Sequence, residues 1–209
     1  MFTDRTEAGK ILAKALSEYK DKNTIVLAIP RGGVIVAYEV AKALNAPLDL
    51  IIPRKIGAPN QPELAIGAVT EDGTTILNRD IVQYLRVPDD YIKTEVKRQI
   101  EEIKRRIQRY LGDKPRLSIE GKVVILIDDG VATGATTRAA IASIRKRKPA
   151  LIVLAIPVGP PDTVKELRED ADKVICLMTP EPFFAIGQFY ENFEQTSDEE
   201  VIQILNKLR

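Results

Sequence analysis

The chain has 209 residues, 31 of them basic and 30 acidic for a net charge of +1, with no His, no Trp and one Cys. The length suits one compact domain, the 44% hydrophobic content supplies a core, and near-neutrality provides no global field to draw in nucleic acid or an anionic membrane. The missing His excludes every Ser-His, Cys-His and His-metal arrangement, and Cys176 alone forms neither an internal disulfide nor a zinc cluster. Chemistry must therefore rest on carboxylates, Lys, Arg, hydroxyls, backbone amides or a hard metal ion.

The opening Met1-Phe2-Thr3-Asp4-Arg5 has no apolar signal-peptide core, and no apolar run reaches membrane-spanning length; the expectation is a cytoplasmic protein without membrane contact. Ala8, Ile11, Leu12, Ala15, Leu16 and Tyr19 recur at helical spacing and predict a helix over 3–19. The run Thr24-Ile25-Val26-Leu27-Ala28-Ile29 reads as a strand buried on both faces, the habit of parallel sheets. It ends at Pro30-Arg31-Gly32-Gly33. A helix over 34–44 and a strand over 48–52 complete a βαβ unit closed by Pro53-Arg54-Lys55.

Between 56 and 77 the glycines and prolines (Gly57, Pro59, Pro62, Gly67, Gly73) predict a flexible loop running into a hairpin. Pro88-Asp89-Asp90 opens a long helix ending near Gly112, whose stripe of Val96, Ile100, Ile103, Ile107 and Tyr110 would pack within the domain or pair with a second copy; intradomain packing is preferred, and a homo-oligomer is compatible with the pattern. Alternation then resumes: a strand over 122–127, a helix over 136–148, a strand over 150–156, a short helix over 161–169, a strand over 173–178, an aromatic tail and a helix over 197–208. The run Arg145-Lys146-Arg147-Lys148 reads as cations at a helix C-terminus, favoured by the macrodipole. The whole predicts an α/β fold with a doubly wound parallel sheet, whose ligands bind beyond the carboxyl ends of its strands.

The strongest chemical signal follows the strand Val123-Val124-Ile125-Leu126-Ile127: the carboxylates Asp128 and Asp129, then Gly130-Val131-Ala132-Thr133-Gly134-Ala135-Thr136-Thr137 entering a helix. Small side chains leave backbone amides free to converge on an anion at the helix N-terminus, and the Thr hydroxyls add donors. The acidic pair would repel that anion unless it faced sugar hydroxyls or Mg²⁺. A bland reading, strand-end turn plus helix cap, suits Asp-Asp-Gly alone but not the full run. No Gly-x4-Gly-Lys-Ser/Thr loop accompanies the acidic strand end, which excludes a Walker-type ATPase. A receiver domain would carry its acidic pair after the first strand.

This run resembles the phosphoribosyl-diphosphate motif of the type I phosphoribosyltransferases, and the similarity continues through Pro30-Arg31-Gly32-Gly33-Val34, Arg54-Lys55-Ile56-Gly57-Ala58-Pro59 and the segment from Phe189-Tyr190 to Glu200. The resemblance implies a five-stranded, mainly parallel sheet in one domain over 1–209, with a small hood and C-terminal helix over 179–209. It implies that Asp128 and Asp129 bind the ribose 2- and 3-hydroxyls and support Mg²⁺ directly or through water, and that Ala132, Thr133, Gly134, Ala135, Thr136 and Thr137 hold the 5-phosphate. Arg31, Gly32 and Gly33, in a loop of unusual peptide geometry, with Arg54 and Lys55, would bind pyrophosphate, Arg31 acting with the two carboxylates in catalysis. As a bare pattern, Arg54-Lys55 is also what a solvated loop looks like.

The tail Pro182-Phe183-Phe184-Ala185-Ile186-Gly187 is similar to the hood of hypoxanthine-type enzymes, which carries the role of stacking on the acceptor to Phe184, beside Ile186. Glu191, the pair Pro157 and Val158, and Ala132 depart from that type, so the resemblance leaves the nitrogenous acceptor open. The implied reaction moves a 5-phosphoribosyl group from phosphoribosyl diphosphate to that acceptor. The alternative is a non-catalytic sensor of phosphoribosyl diphosphate or a nucleotide, with which Ala132 and the long helix are compatible. Nucleic acid is not an expected partner.

Overall fold

A computed structural model describes residues 1–208; Arg209, the end of the expected hood segment, lies outside the described residues. In chain order the elements are α1 (Arg5–Ala15), β1 (Thr24–Ala28), α2 (Gly32–Leu44), β2 (Leu48–Leu50), β3 (Arg54–Ala58), β4 (Gln61–Val69), β5 (Thr75–Leu77), α3 (Arg79–Tyr84), α4 (Asp89–Leu111), β6 (Val123–Ile127), α5 (Ala135–Lys146), β7 (Leu151–Val158), α6 (Pro161–Asp170), β8 (Lys173–Met178) and α7 (Asp198–Leu208), with single 3-10 turns at Ser17–Tyr19 and Ile186–Phe189.

The core sheet runs β2-β1-β6-β7-β8, every pairing parallel. Continuous apolar runs suit it because both faces are covered. Val26, Ala28, Ile125, Ile127, Val153 and Ala155 point to one side with Leu12 and Leu16 of the α1 segment and Val36 and Val40 of α2. Their neighbours Ile25, Leu27, Val124, Leu126, Ile152 and Leu154 point to the other with Ile141 and Ile144 of α5 and Leu167 of α6. The period-two side-chain alternation of a strand thus builds two cores on one sheet.

Of the segment expected as a flexible loop running into a hairpin, the hairpin is β4-β5, while the expected loop is ordered as β3, which pairs with β4 to make a three-stranded antiparallel sheet, β3-β4-β5. Arg54 and Lys55 open β3 and do not close β2, which stops at Leu50. Ile56 and Ile66, both fully buried, seat the sheet against the main core. Pro59 and Asn60 make the β3–β4 turn, Asn60 at φ 61°, and the register shifts around Gly57 absorb the irregularity that its glycine and prolines announced. The helix α3, whose residues are all partly exposed, is too short for periodicity to reveal.

The stripe of α4 packs within the domain: Ile92, Ile103, Tyr110 and Leu111 are buried against the main core, and Tyr91 donates its hydroxyl to the Gly57 carbonyl at 2.7 Å. The tail folds over the sheet as a hood, and the N-terminus joins it: Phe2 N–H donates to the Phe189 carbonyl and Glu191 N–H to that of Phe2, with Phe2, Phe189, Tyr190 and Val158 packed together. Among the described residues no helix is long and apolar enough to cross a membrane. Replacing the fully buried Ile103 by Ala should cost about 2–5 kcal/mol in urea unfolding, independent of protein concentration; a loss that grew on dilution would mean that the stripe is a seam between copies.

Candidate active site

The strand order reverses between β1 and β6, from which β2 lies to one side and β7 to the other. Such a switch point leaves a crevice beyond the strand ends. The registry Ala28↔Ile127 sets the loop after β1 opposite the loop after β6. The Pro30–Arg31 peptide is cis, an unusual peptide geometry of the kind the resemblance implied. Gly32 and Gly33 then start α2 in direct contact with the acidic strand end. A Cβ on Gly32 would collide with Asp129 Oδ2 and lie 2.6 Å from Arg5 Nε, and one on Gly33 would lie 2.9 Å from Asp128 Cα. Glycine is required here by close approach, not by its dihedral freedom.

The two carboxylates occupy different environments. Asp128 is half-buried, faces the cavity at the crevice and takes the Asp129 N–H on Oδ1 at 2.8 Å. Burial first, and the Asp129 charge second, push its carboxyl well above the usual carboxylate range. Asp129 is buried: its Oδ2 takes a 2.8 Å charge-assisted hydrogen bond from Arg5 Nε. Its carbonyl accepts from Tyr190 Oη at 2.6 Å. The Arg5 guanidinium also donates to the Glu194 carbonyl at 2.7 Å and lies 3.9 Å from the centre of the Phe193 ring.

Beyond Asp129 the chain turns through 130–134 into α5. Gly134 sits at φ 80° as the residue before the helix, and its carbonyl takes the Arg138 N–H. Thr163 Oγ1 donates to the Ala132 carbonyl at 2.9 Å, bracing the loop from α6. Ala132 and Thr133 are exposed, Ala135 and Thr136 half-buried, and Thr137 buried; Thr136 lines the cavity. The α5 N-terminus therefore directs its positive dipole end at the same space that Asp128 faces.

That space has a volume of about 540 Å³ and is lined by Pro30, Arg54, Lys55, Asp128 and Thr136 together with Tyr91, Glu95, Arg98, Gln99 and Arg106 of α4. Arg54 donates through Nε to Gln99 Oε1 at 2.9 Å, Gln99 donates to Glu95, and Glu95 takes a two-pronged pair from Arg98. Burial, and after it the neighbouring Arg106 charge, disfavour the cationic form of Arg54. Four cations against Glu95 and Asp128 leave the cavity short of negative charge, so it favours an anion. Arg31 lies apart from that lining, 3.9 Å from Asp198 at the start of α7.

The hood comes down on the Asp-Asp loop through Ile186, whose Cγ2 would be 2.6 Å from a Cβ on Gly130. Phe184 instead projects into solvent at 82% exposure, its N–H donating to Gln188. Sequence patterns assigned Arg5, Arg98, Arg106 and Gln99 no place in the site. Arg98 pairs with Glu95 and Arg106 with Glu102 at the spacing of ordinary helix-surface ion pairs, which masks their place on the cavity wall. Arg5 stands 124 residues from its partner, and no local pattern marks it.

Gly32→Ala drives a methyl into the Asp129 carboxylate and should lower stability by about 1–3 kcal/mol in chemical unfolding; unchanged stability would mean that Asp129 is not held against this loop.

Comparison with known proteins bears on this geometry. A family model described as the phosphoribosyl transferase domain matches residues 5–193. A Mycobacterium tuberculosis (strain H37Rv) protein named "putative phosphoribosyl transferase" is 45% identical over 207 residues, which are 99% of this chain and 47% of that protein; the chain spans about half the length of the curated relatives it matches. The crystal structure of the protein TT1426 from Thermus thermophilus is 40% identical, with a TM-score of 0.84 over 99% of this chain and 98% of that one. A hypothetical protein from Neisseria gonorrhoeae with bound ppGpp shares the fold at 13% identity, with a TM-score of 0.50 over 98% and 93% of the two chains. The acidic strand end, the turn into α5 and the switch point all lie within the matched residues, and the chain belongs to the phosphoribosyl transferase domain family.

Proposed function

We propose that the chain transfers a 5-phosphoribosyl group from phosphoribosyl diphosphate to a nitrogenous, nucleobase-like acceptor and releases pyrophosphate. The observation that carries the reading is the meeting at one switch point of three features: the Asp128–Asp129 strand end, the α5 N-terminus with Thr136, and a cavity walled by Arg54, Lys55, Arg98 and Arg106. A ligand with one phosphate, a run of hydroxyls and a diphosphate offers a partner to each of them.

In this reading the amides and hydroxyls of Ala132, Thr133, Gly134, Ala135, Thr136 and Thr137 hold the 5-phosphate, which fixes the sugar in the crevice. Asp128 and Asp129 accept the ribose 2- and 3-hydroxyls. The bond from the sugar's anomeric carbon to the diphosphate oxygen breaks as positive charge grows on the ring, and the acceptor nitrogen forms the new bond. Arg54, Lys55, Arg98 and Arg106, which line the cavity, take up the negative charge arriving on the leaving group, a task of positioning and charge stabilisation; Arg31, beside Asp198, stands outside that lining. Ile186 and Phe184 border the acceptor side.

The donor set suits Mg²⁺. Among the described residues no cluster of three or more acidic, His or Cys side chains forms a closed metal cage; one or two carboxylates completed by substrate oxygens and water is the usual Mg²⁺ arrangement. Asp128 and Asp129 would hold the ion directly or through water, where it supplies positive charge to the diphosphate.

Calorimetry with phosphoribosyl diphosphate and Mg²⁺ tests the site: Asp128→Asn and Asp129→Asn should each weaken binding at least tenfold, and unchanged affinity in both would refute the assignment. Pyrophosphate release across a panel of bases and amines tests turnover. Release with one of them supports the transferase, whereas tight binding without release supports the sensor. Phe184→Ala should raise the acceptor KM and spare diphosphate binding; equal losses in both would mean structural damage.

A further inference from the structure

We propose that Arg5 is a positioning residue for the Asp129 carboxylate, through which the seating of the hood sets the geometry of the sugar-binding acid pair. The inference rests on the phosphoribosyl diphosphate reading of the site.

Arg5 opens α1, whose start is fixed by a reciprocal cap: Asp4 accepts the Glu7 N–H, and Glu7 accepts the Thr3 N–H. From there the guanidinium is held on three sides. Nε meets Asp129 Oδ2 at 2.8 Å, Nη1 meets the Glu194 carbonyl at 2.7 Å, and the plane lies over Phe193. Both side chains of the pair are nearly inaccessible, at 10% and 13% exposure. Two of the three anchors, Glu194 and Phe193, belong to the hood segment, whose Tyr190 also binds the Asp129 backbone. On its far side the carboxylate abuts Gly32 of the diphosphate-side loop.

A planar fork suits this job better than an ammonium, because it can satisfy a carboxylate and a carbonyl at once while stacking on a ring. A carboxylate next to a second carboxylate, with no such partner, would rotate away from its neighbour. Arg5 fixes one oxygen of Asp129 and so defines which edge of the acid pair is offered to the sugar. Arg5 does not line the cavity; its Nε hydrogen bond goes to Asp129, and its charge also bears on Asp128.

The test is a double-mutant cycle read by calorimetry with phosphoribosyl diphosphate and Mg²⁺ on the full chain, with circular dichroism confirming the folded state at the titration temperature. Arg5→Met should weaken binding at least tenfold in folded protein, Arg5→Lys by several-fold, and Arg5→Met should add little in an Asp129→Asn background. A purely structural role lowers the melting temperature but leaves the affinity of the folded protein alone. Unchanged affinity in Arg5→Lys and Arg5→Met, or equal losses with and without the Asp129 carboxylate, overturns the inference. Should Arg5→Met not fold, Arg5→Lys decides by itself: reduced affinity supports the role, wild-type affinity overturns it. If the unaltered chain does not bind the diphosphate at all, the reading of the site fails, and this inference fails with it.

Discussion

A carboxylate at the end of a fully buried parallel strand needs a counter-charge, and in this chain a single arginine from the first helix supplies it to Asp129. Leaving one partner of such a pair buried and unpaired typically costs about 3–5 kcal/mol, so the pair constrains everything it touches. The N-terminal segment must reach across the strand ends to deliver Arg5. Phe2 does so by bridging to Tyr190, and the hood must then fold back to receive the guanidinium on Glu194 and Phe193. The N-terminal segment and the hood thereby meet above the switch point, with Gly32 kept bare to make room for the carboxylate between them.

Asp128 is spared from that clamp, and its difference from Asp129 follows. One acid is committed to a cation and the structure around it; the other faces the cavity with its carboxyl shifted upward by burial and by its neighbour's charge. Opposite it stand the cations of β3 and α4. They are held apart from one another by Gln99 and Glu95, which prevent mutual repulsion from splaying Arg54 and Arg98. The second sheet and α4 thus form one wall of the cavity, β3 supplying Arg54 and Lys55 where the sequence suggested a flexible loop. Leaving-group charge would be met by side chains already in place, which lowers the reorganisation needed during transfer.

The parallel core was legible because burial on both faces writes itself as unbroken apolar runs such as Val123-Val124-Ile125-Leu126-Ile127, and because caps such as Ser197 ahead of α7 mark helix starts. The turn from β6 into α5 was legible because its small and hydroxylated residues are contiguous. The second sheet was less so: Pro59, Pro62 and Gly57 look like loop punctuation, and only the paired register shows that they shape a turn and a bulge. Arg5 and the α4 arginines lay beyond reach for a different reason. Their roles come from tertiary neighbours, Asp129 for the one and Arg54, Asp128 and Thr136 for the others, and nothing in local spacing encodes those meetings.

A crevice that holds both ends of a phosphorylated sugar diphosphate should show itself in phosphorus NMR of phosphoribosyl diphosphate titrated with the unaltered chain in Mg²⁺. The 5-phosphate and diphosphate resonances should shift or broaden together and saturate at the same protein concentration. Perturbation of the diphosphate alone would reduce the site to a cationic surface without a phosphate loop, and unperturbed resonances would contradict the account altogether.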